Sequence, residues 1–325
     1  MTPGRRRIVL GIAGAAATFR AMAQAPQLRR VAVLAPSTRE REEITLKPFF
    51  DEMRALGWIE GQTIEYDRAY ADDRHASLDS LAVQLVARKP ELIFAPPAPA
   101  AVSAKKATSR IPIVFATGTD PVVIGLVASL ARPGGNVTGI VSVADSLAPK
   151  LVQILRELLP NAKRLGVLNE PIDPRARLDL DALGRAATPL GMTLVTATVP
   201  DAPSLRAAVA QLSAQKVDAI VTSTSLIFNL RASLLELADA ARIPVAGHRS
   251  ELADAGALFA YGAALADQMR VAARLADKVL KGSSPADLPV EQPTKFELVV
   301  NQRAAARLGI KVPASVLARA DRVID

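Results

Sequence analysis

Short runs of continuously apolar residues alternate with longer stretches that are apolar on one face only, beginning near residue 29. A continuous run is typical of a strand that is buried on both faces of a parallel sheet. Apolar positions spaced three and four residues apart predict an amphipathic helix. Up to residue 141 the pattern predicts strands at Arg30–Ala35, Thr63–Arg68, Glu91–Ala95, Ile111–Phe115 and Asn136–Val141, and helices at Thr45–Leu56, Ser77–Arg88 and Ala98–Thr108.

The same alternation then starts again. The second half predicts helices at Leu147–Leu159, Ala176–Leu190, Ser204–Ala214, Leu226–Ala241 and Ala264–Leu280, and strands at Arg164–Leu168, Thr193–Thr198, Ala219–Thr222, Pro244–Ala246 and Ala257–Tyr261. Strands separated by helices imply right-handed βαβ crossovers. The chain is therefore predicted to be α/β, with two doubly wound parallel-sheet lobes joined by a hinge that crosses near Val141–Ala144 and Tyr261–Ala263. Two sheets that face each other with their carboxyl ends leave an interlobe cleft, which is a favoured site for small ligands.

A small polar loop follows the fourth predicted strand, where ligands sit in open α/β sheets. It leads to Asp120-Pro121, since Asp is a strong N-cap and Pro suits the first helical position. The pattern predicts a helix from there to Arg132, ended by the Pro133-Gly134-Gly135 turn. The loop is therefore predicted to place Thr117 and Thr119 in the cleft.

Other predicted strands also end in small polar loops. Hydroxyl groups and backbone N–H groups at helix starts suit an anionic head group such as a carboxylate. Helix capping remains an alternative role for the hydroxyls and for Asp120, and packing remains one for Tyr261. The predicted ligand-binding residues are Ser37, Thr38, Pro97, Thr117, Thr119, Asp120, Asn169, Ser223, Thr224, Ser225 and Tyr261.

Composition narrows the classes of function. The chain has no cysteine and two histidines, which excludes disulfides, thiolate metal sites and cysteine nucleophiles. No G-x-S-x-G, P-loop or G-x-G-x-x-G motif follows a predicted strand. We expect His75 at a polar surface and His248 beyond a strand, where it could line the cleft. The sequence therefore predicts no catalytic residue, no metal and no cofactor.

The amino-terminal 23 residues have the three parts of an export signal. They are a basic segment at residues 5–7, an apolar segment at Ile8–Phe19 and an A-x-A cleavage site that ends at Ala23. Secretion by either the general or the twin-arginine route fits this pattern. The net charge of +8 falls to +4 without this segment, which holds four arginines and no acid. The remaining charges alternate in sign, as at residues 39–43, which is typical of a solvated surface and not of a nucleic-acid site.

Several blocks of the chain resemble one family. These are the IPIVF strand with the DPV turn and the run GLVASLARPGGNVTG at residues 111–139, together with Leu288–Val300, Leu308-Gly309-Ile310 and Leu317–Ile324. They are similar to the substrate-binding proteins of ABC importers, in the group related to proteins that bind tryptophan and tyrosine. The resemblance runs from about Arg29 to the carboxyl terminus. This chain differs from the family in one loop, where relatives usually have Asn-Pro and this chain has Asn169-Glu170-Pro171.

The resemblance implies a type I periplasmic-binding-protein fold whose lobes close on a ligand by hinge motion. It implies residues 27–142 plus about 263–287 in one lobe, and 143–262 plus about 288–325 in the other. The expected function is capture of a small polar molecule, an amino acid or other small carboxylate, by a periplasmic monomer, for delivery to an ABC permease of the inner membrane. An exported α/β enzyme and a ligand-sensing module of the same fold are the alternatives.

Overall fold

The computed structural model describes residues 28–142, 147–173, 175–222 and 224–325. The predicted export signal and Ser223 lie outside the described residues, as does the end of the first predicted hinge crossing. Among the described residues, no helix has both the length and the apolar content that a membrane span requires.

The first sheet is entirely parallel and has the strand order β2-β1-β3-β4-β5. The inner strands β1, β3 and β4 are almost wholly apolar at their centres because helices cover both faces, whereas the edge strand β2 mixes polar and apolar residues. On one face, the Phe49 ring stacks on the Phe94 ring with 3.8 Å between centroids. The strands are β1 Arg29–Ala35, β2 Ile64–Tyr70, β3 Leu92–Phe94, β4 Ile113–Thr117 and β5 Val137–Val141, and the helices that precede β5 are α1 Arg39–Thr45, α2 Lys47–Ala55, α3 Leu78–Ala87 and α4 Ala98–Ala107.

The helix predicted from Asp120 to Arg132 is wrong, since this segment forms turns. Asp120 does cap the first turn by accepting from the backbone N–H of Val122 at 2.8 Å. The turn ends at Gly125, whose φ of 71° is left-handed. The Gly125 and Leu126 N–H groups then donate back to the Val122 and Pro121 carbonyls, as in a Schellman motif. The chain therefore stops after one helical turn.

Two other predicted helices have different bounds in the structure. The one predicted at Thr45–Leu56 begins earlier and divides at Leu46 into α1 and α2. The one predicted at Leu226–Ala241 divides at Leu230. In both cases the apolar residues keep their helical spacing across the break, so the pattern of apolar positions does not predict where the helix divides.

The second sheet has the strand order β12-β11-β10-β9-β8-β6-β7. Neighbouring strands among β7, β6, β8, β9 and β10 are parallel, whereas β11 pairs antiparallel with β10. The strands are β6 Arg164–Asn169, β7 Thr193–Thr198, β8 Ala219–Thr222, β9 Val245–Gly247, β10 Phe259–Gly262, β11 Glu297–Asn301 and β12 Arg322–Ile324. The helices are α5 Ala148–Leu158, α6 Arg175–Ala187, α7 Leu205–Ala214, α8 Ser225–Asn229, α9 Arg231–Ala240, α10 Ser250–Asp254, α12 Gln302–Leu308 and α13 Ala314–Leu317.

The long helix α11, Leu265–Leu280, returns to the first sheet after β10. The chain then stays with the first lobe, because Val290 N–H donates to the Leu130 carbonyl and Glu291 N–H to the Gly139 carbonyl. The predicted lobe bounds stay a prediction. On these hydrogen bonds we propose one revision, which moves residues 288–291 from the second lobe to the first.

Candidate functional site

The carboxyl ends of the two parallel sheets meet at the interface between the lobes. Several contacts cross it. Arg41 Nη1 donates to the Asn229 carbonyl at 3.0 Å, and His75 pairs with Glu170. The Phe228 ring joins the apolar cluster of the first lobe. The lobes are therefore closed on each other in this structure.

A cavity of about 30 Å³ lies at this interface. That volume holds about two water molecules, so a larger occupant requires the lobes to part and close again around it. The lining is apolar apart from a few polar side chains and comes from both lobes. It consists of Pro36, Glu42, Thr45, Leu46, Pro96, Pro97, Ala116, Asn229, Arg249, Leu265 and Met269.

Glu42 supplies the acidic group of the cavity. It lies in α1, directly after β1, and is only 4% exposed. Its Oε1 accepts from the Ser37 backbone N–H at 3.1 Å. Burial raises the pKa of Glu42 to about 7 because the site disfavours the charged form. The alternating charges at residues 39–43 were predicted to lie on a solvated surface, and for Glu42 that prediction is wrong.

Arg249 supplies the basic group from the opposite lobe. It follows β9 and its guanidinium lies 4.3 Å from the centre of the Phe228 ring. Among the described residues, none accepts a hydrogen bond from that guanidinium. Burial lowers the pKa of Arg249 to about 10, so it stays charged at neutral pH. A charged group that faces a cavity without an acceptor is well placed to bind an anion.

Three buried threonine hydroxyls also lie at the strand ends. Thr119, Thr222 and Thr224 are each less than 5% exposed, and within the described part of the chain none of their Oγ1 atoms has a hydrogen-bond partner. Leaving a buried hydroxyl unpaired costs about 1–3 kcal/mol. A ligand or an ordered water at the interface would remove this cost.

The remaining predicted residues of the first lobe take several positions. Pro97 lines the cavity, whereas the Ser37 hydroxyl donates to Asp73 Oδ1 at 3.0 Å. Thr38 is the residue before α1, and Thr117 Oγ1 accepts from the Thr119 N–H. Asp120 serves as a cap, which was the alternative role given to it.

Of the remaining predicted residues of the second lobe, Asn169 and Tyr261 are absent from the lining of the cavity. Asn169 ends β6, and Ser225 begins α8. The Tyr261 ring packs near that of Phe296, with centroids 6.3 Å apart, in the apolar core of its own lobe. The predicted site residues as a set stay a prediction.

Arg175 forms an interlobe contact that sequence reasoning missed. It is 5% exposed, and its Nε donates to Asp179 Oδ2 at 2.7 Å. Its guanidinium lies against Gly118 of the first lobe so closely that a Cβ on Gly118 would overlap it. Gly118 thus lets the second lobe approach the loop after β4. In the sequence, the only indication of this contact is the position of Gly118 between Thr117 and Thr119, which are both predicted ligand-binding residues.

A second missed contact joins His75 to Glu170. Their side chains are 3% and 0% exposed, with His75 Nδ1 2.5 Å from Glu170 Oε1, and Glu170 Oε2 accepts from the Leu226 N–H at 3.0 Å. The prediction of a surface position for His75 is therefore wrong. Glu170 is also the residue at which this chain departs from the usual loop of its relatives.

Both members of this pair hold protons more tightly than free side chains do. Burial alone would lower the pKa of His75, but the carboxylates of Glu170, Asp173 and Asp73 together raise it above 6.5. Burial raises the pKa of Glu170 above 4.5. Since a raised pKa means that the folded state binds more protons than the unfolded state, stability must fall as pH rises through these raised values.

The pair therefore predicts a pH dependence of folding. The free energy of unfolding should be higher at pH 5.5 than at pH 8, and His75→Gln should flatten this slope while it lowers stability at pH 5.5 by about 2 kcal/mol. Urea denaturation across this range measures the effect. Glu170→Gln and the double variant complete a cycle, and slopes equal to that of the unmodified protein in all three would contradict the assignment.

Among the described residues, no group of three or more His, Asp or Glu side chains could hold a metal ion. The cavity instead offers one cation, one acid, the polar side chains of Thr45 and Asn229, and otherwise apolar walls. This arrangement can bind and orient a small molecule.

Comparison with known proteins agrees with the resemblance noted in the sequence. The model of the ABC transporter substrate binding protein family matches residues 30–324. A tyrosine-binding protein of Clostridioides difficile is 30% identical over 258 residues, which is 79% of this chain and 74% of that protein.

Solved structures share the two-lobed fold. An ABC domain from Streptococcus pneumonia in complex with L-Trp is 26% identical, with a TM-score of 0.84 over 92% of this chain and 100% of that one. A conserved domain protein from Vibrio cholerae is 29% identical, with a TM-score of 0.85 over 91% and 100%. The ligand-free, open structure of a substrate binding protein from Clostridium difficile covers 91% and 99% at 25% identity, yet its TM-score is 0.63.

At similar identity and coverage, this chain thus resembles the tryptophan complex more closely than the open form, in keeping with its closed lobes. The predicted fold class, a two-lobed type I binding protein, is confirmed. This protein belongs to the family of ABC transporter substrate binding proteins.

Proposed function

We propose that this protein is the periplasmic solute-binding component of an ABC importer, and that it captures a small polar molecule, an amino acid or other small carboxylate, in the interlobe cavity. The observation that carries the proposal is the Arg249 guanidinium, which faces the cavity and has no acceptor among the described residues. A ligand carboxylate would supply that acceptor through a charge-assisted hydrogen bond.

The rest of the cavity suits such a ligand. Thr45 and Asn229 add a polar group from each lobe to its lining. The buried hydroxyls of Thr119 and Thr224 lie outside the lining of the closed cavity, without a partner among the described residues, and could donate to a polar ligand if the lobes part to admit it. Pro97, Leu46 and Met269 offer apolar contact to the remainder of the molecule. Because these groups belong to both lobes, a bound ligand favours the closed arrangement over the open one.

The relatives support the amino-acid class and the transport role. One is named a tyrosine-binding protein, and another was solved with L-Trp. The family name supports a permease and an ATPase as partners, to which the closed, liganded monomer delivers its cargo. The export signal predicted at residues 1–23 supports placement in the periplasm.

Native mass spectrometry of residues 24–325 tests the proposal. The protein as purified should carry a small carboxylate that is absent after denaturation and refolding, and isothermal titration of the refolded protein with that molecule should restore binding. Absence of any bound species, followed by no binding of the twenty L-amino acids or of a panel of small carboxylates, would overturn the proposal.

A further inference from the structure

Two opposite charges from opposite lobes line the same cavity. Glu42 lies in α1 of the first lobe, whereas Arg249 follows β9 of the second. Neither forms an ion pair with any described residue, although Glu42 is buried and Arg249 is half-buried. Buried charges are normally paired or hydrogen-bonded, because an isolated charge in an apolar setting is costly. Arg249 has the carboxylates of Glu251, Asp173 and Glu42 nearby, but none of them is within ion-pair distance of its guanidinium in the described part of the chain. Each group can therefore accept a further partner in the cavity.

The other charges around Glu42 are already engaged or lie farther away. Arg41 pairs with Asp73 and donates to the Asn229 carbonyl. Asp73 also accepts from the Ser37 hydroxyl. Glu42 itself accepts one bond, from the Ser37 N–H to Oε1, and no described residue donates to its Oε2. One carboxylate oxygen is thus left for a donor in the cavity.

We infer that Glu42 and Arg249 bind the two ends of a zwitterion, with the ligand ammonium donating to Glu42 and the ligand carboxylate accepting from Arg249. This inference rests on the proposed function and narrows it, since it selects an α-amino acid over a carboxylate that lacks the amino group. The two charges belong to different lobes, so only a ligand with both groups pairs both when the lobes close.

The pairing of Glu42 with a ligand ammonium also couples ligand binding to the release of a proton. Burial raises the pKa of Glu42 to about 7, and a bound ammonium would favour the ionised carboxylate. Binding at or below pH 7 should therefore release a proton from Glu42. The affinity for an amino acid should rise with pH between 5 and 7, by up to about tenfold per pH unit. The charged groups that face Glu42 are Arg249, Asp73 and Arg41, and of the acids Glu42 is the one aimed at the cavity.

Isothermal titration tests the inference with paired probes. The twenty L-amino acids are titrated first, and each that binds is then compared with its α-desamino acid, such as 3-(4-hydroxyphenyl)propanoate for L-tyrosine. Repeating each titration in two buffers of different ionisation enthalpy counts the protons released.

The unmodified protein should bind the amino acid at least about 30-fold more tightly than its desamino partner, with proton release. Glu42→Gln should lose that preference and the proton release while it keeps the affinity for the desamino acid within about threefold. Glu40→Gln, an exposed acid on the same helix, is the matched control and should change neither quantity.

Equal affinity for amino and desamino acids, or a Glu42→Gln variant that keeps the preference, would overturn the inference. Binding of carboxylates alone would overturn it and leave the proposed function standing, whereas no binding of either class would overturn both. Thermal unfolding shows whether Glu42→Gln folds. If it does not, the inference is tested by the unmodified protein alone, through the ratio of its affinities for the amino and desamino acids and the number of protons released.

Discussion

Replacing Arg249 with methionine should lower the affinity for the captured carboxylate by about 100-fold or more. Methionine keeps much of the apolar stem and its contact with the Phe228 ring, but it removes the guanidinium. Loss of one partner from a buried, charged hydrogen bond costs about 2–5 kcal/mol, because the other charge is left unpaired. Isothermal titration with the molecule identified by mass spectrometry measures the change.

Loss of binding in this variant should not reflect loss of folding. Arg249 is a charge that burial disfavours and that has no acceptor among the described residues, so its removal should leave the thermal unfolding temperature unchanged or raise it. Arg206→Met, at an exposed position of α7, is the matched control and should bind as the unmodified protein does. An Arg249→Met variant that folds and binds normally would remove Arg249 from the site.

Replacing Gly262 with alanine should lower the free energy of unfolding by about 3 kcal/mol or more. Gly262 ends β10, where a Cβ would overlap the carbonyl oxygen of His248 and lie 2.7 Å from its carbonyl carbon. Both are backbone atoms, so no rotamer change relieves the overlap. The strands β9 and β10 would have to separate at the point where the chain leaves for α11.

The same displacement should weaken ligand binding, because His248 immediately precedes Arg249. Gly184→Ala is the matched control: it lies inside α6, where a Cβ would meet only Leu194 Cδ1 at 3.8 Å. In a helix, this change should stabilise the protein by about 0.5–1 kcal/mol. Urea denaturation of the two variants compares them, and equal stability would contradict the steric argument at Gly262.

Local pattern was sufficient for most of the regular structure. Continuous apolar runs such as β1 and β8 occur where predicted, because strands covered on both faces need apolar residues throughout. The pattern failed where backbone conformation decided the outcome. Gly125 stopped a helix that Asp120 had begun, and Leu230 divided another, although apolar spacing continued in both segments.

The site was predictable only as a region. Parallel strands place the loops at their carboxyl ends together, so Pro97 and Thr119 could be assigned to the interface from topology alone. Glu42, Arg249 and His75 could not, since each looks like an ordinary surface residue in its own segment. Their roles depend on how one lobe meets the other: His75 pairs with Glu170 across the interface, and Glu42 and Arg249 line a cavity to which both lobes contribute.

The sequence by itself determined the α/β class, the two lobes and the family, because these depend on apolar periodicity and on long blocks of residues that are read locally. The tertiary structure alone decided which polar side chains face the interlobe cavity and which acid meets which base across it. The physical reason is that burial and pairing of charge depend on distances between lobes. Only the packing of the folded chain sets those distances.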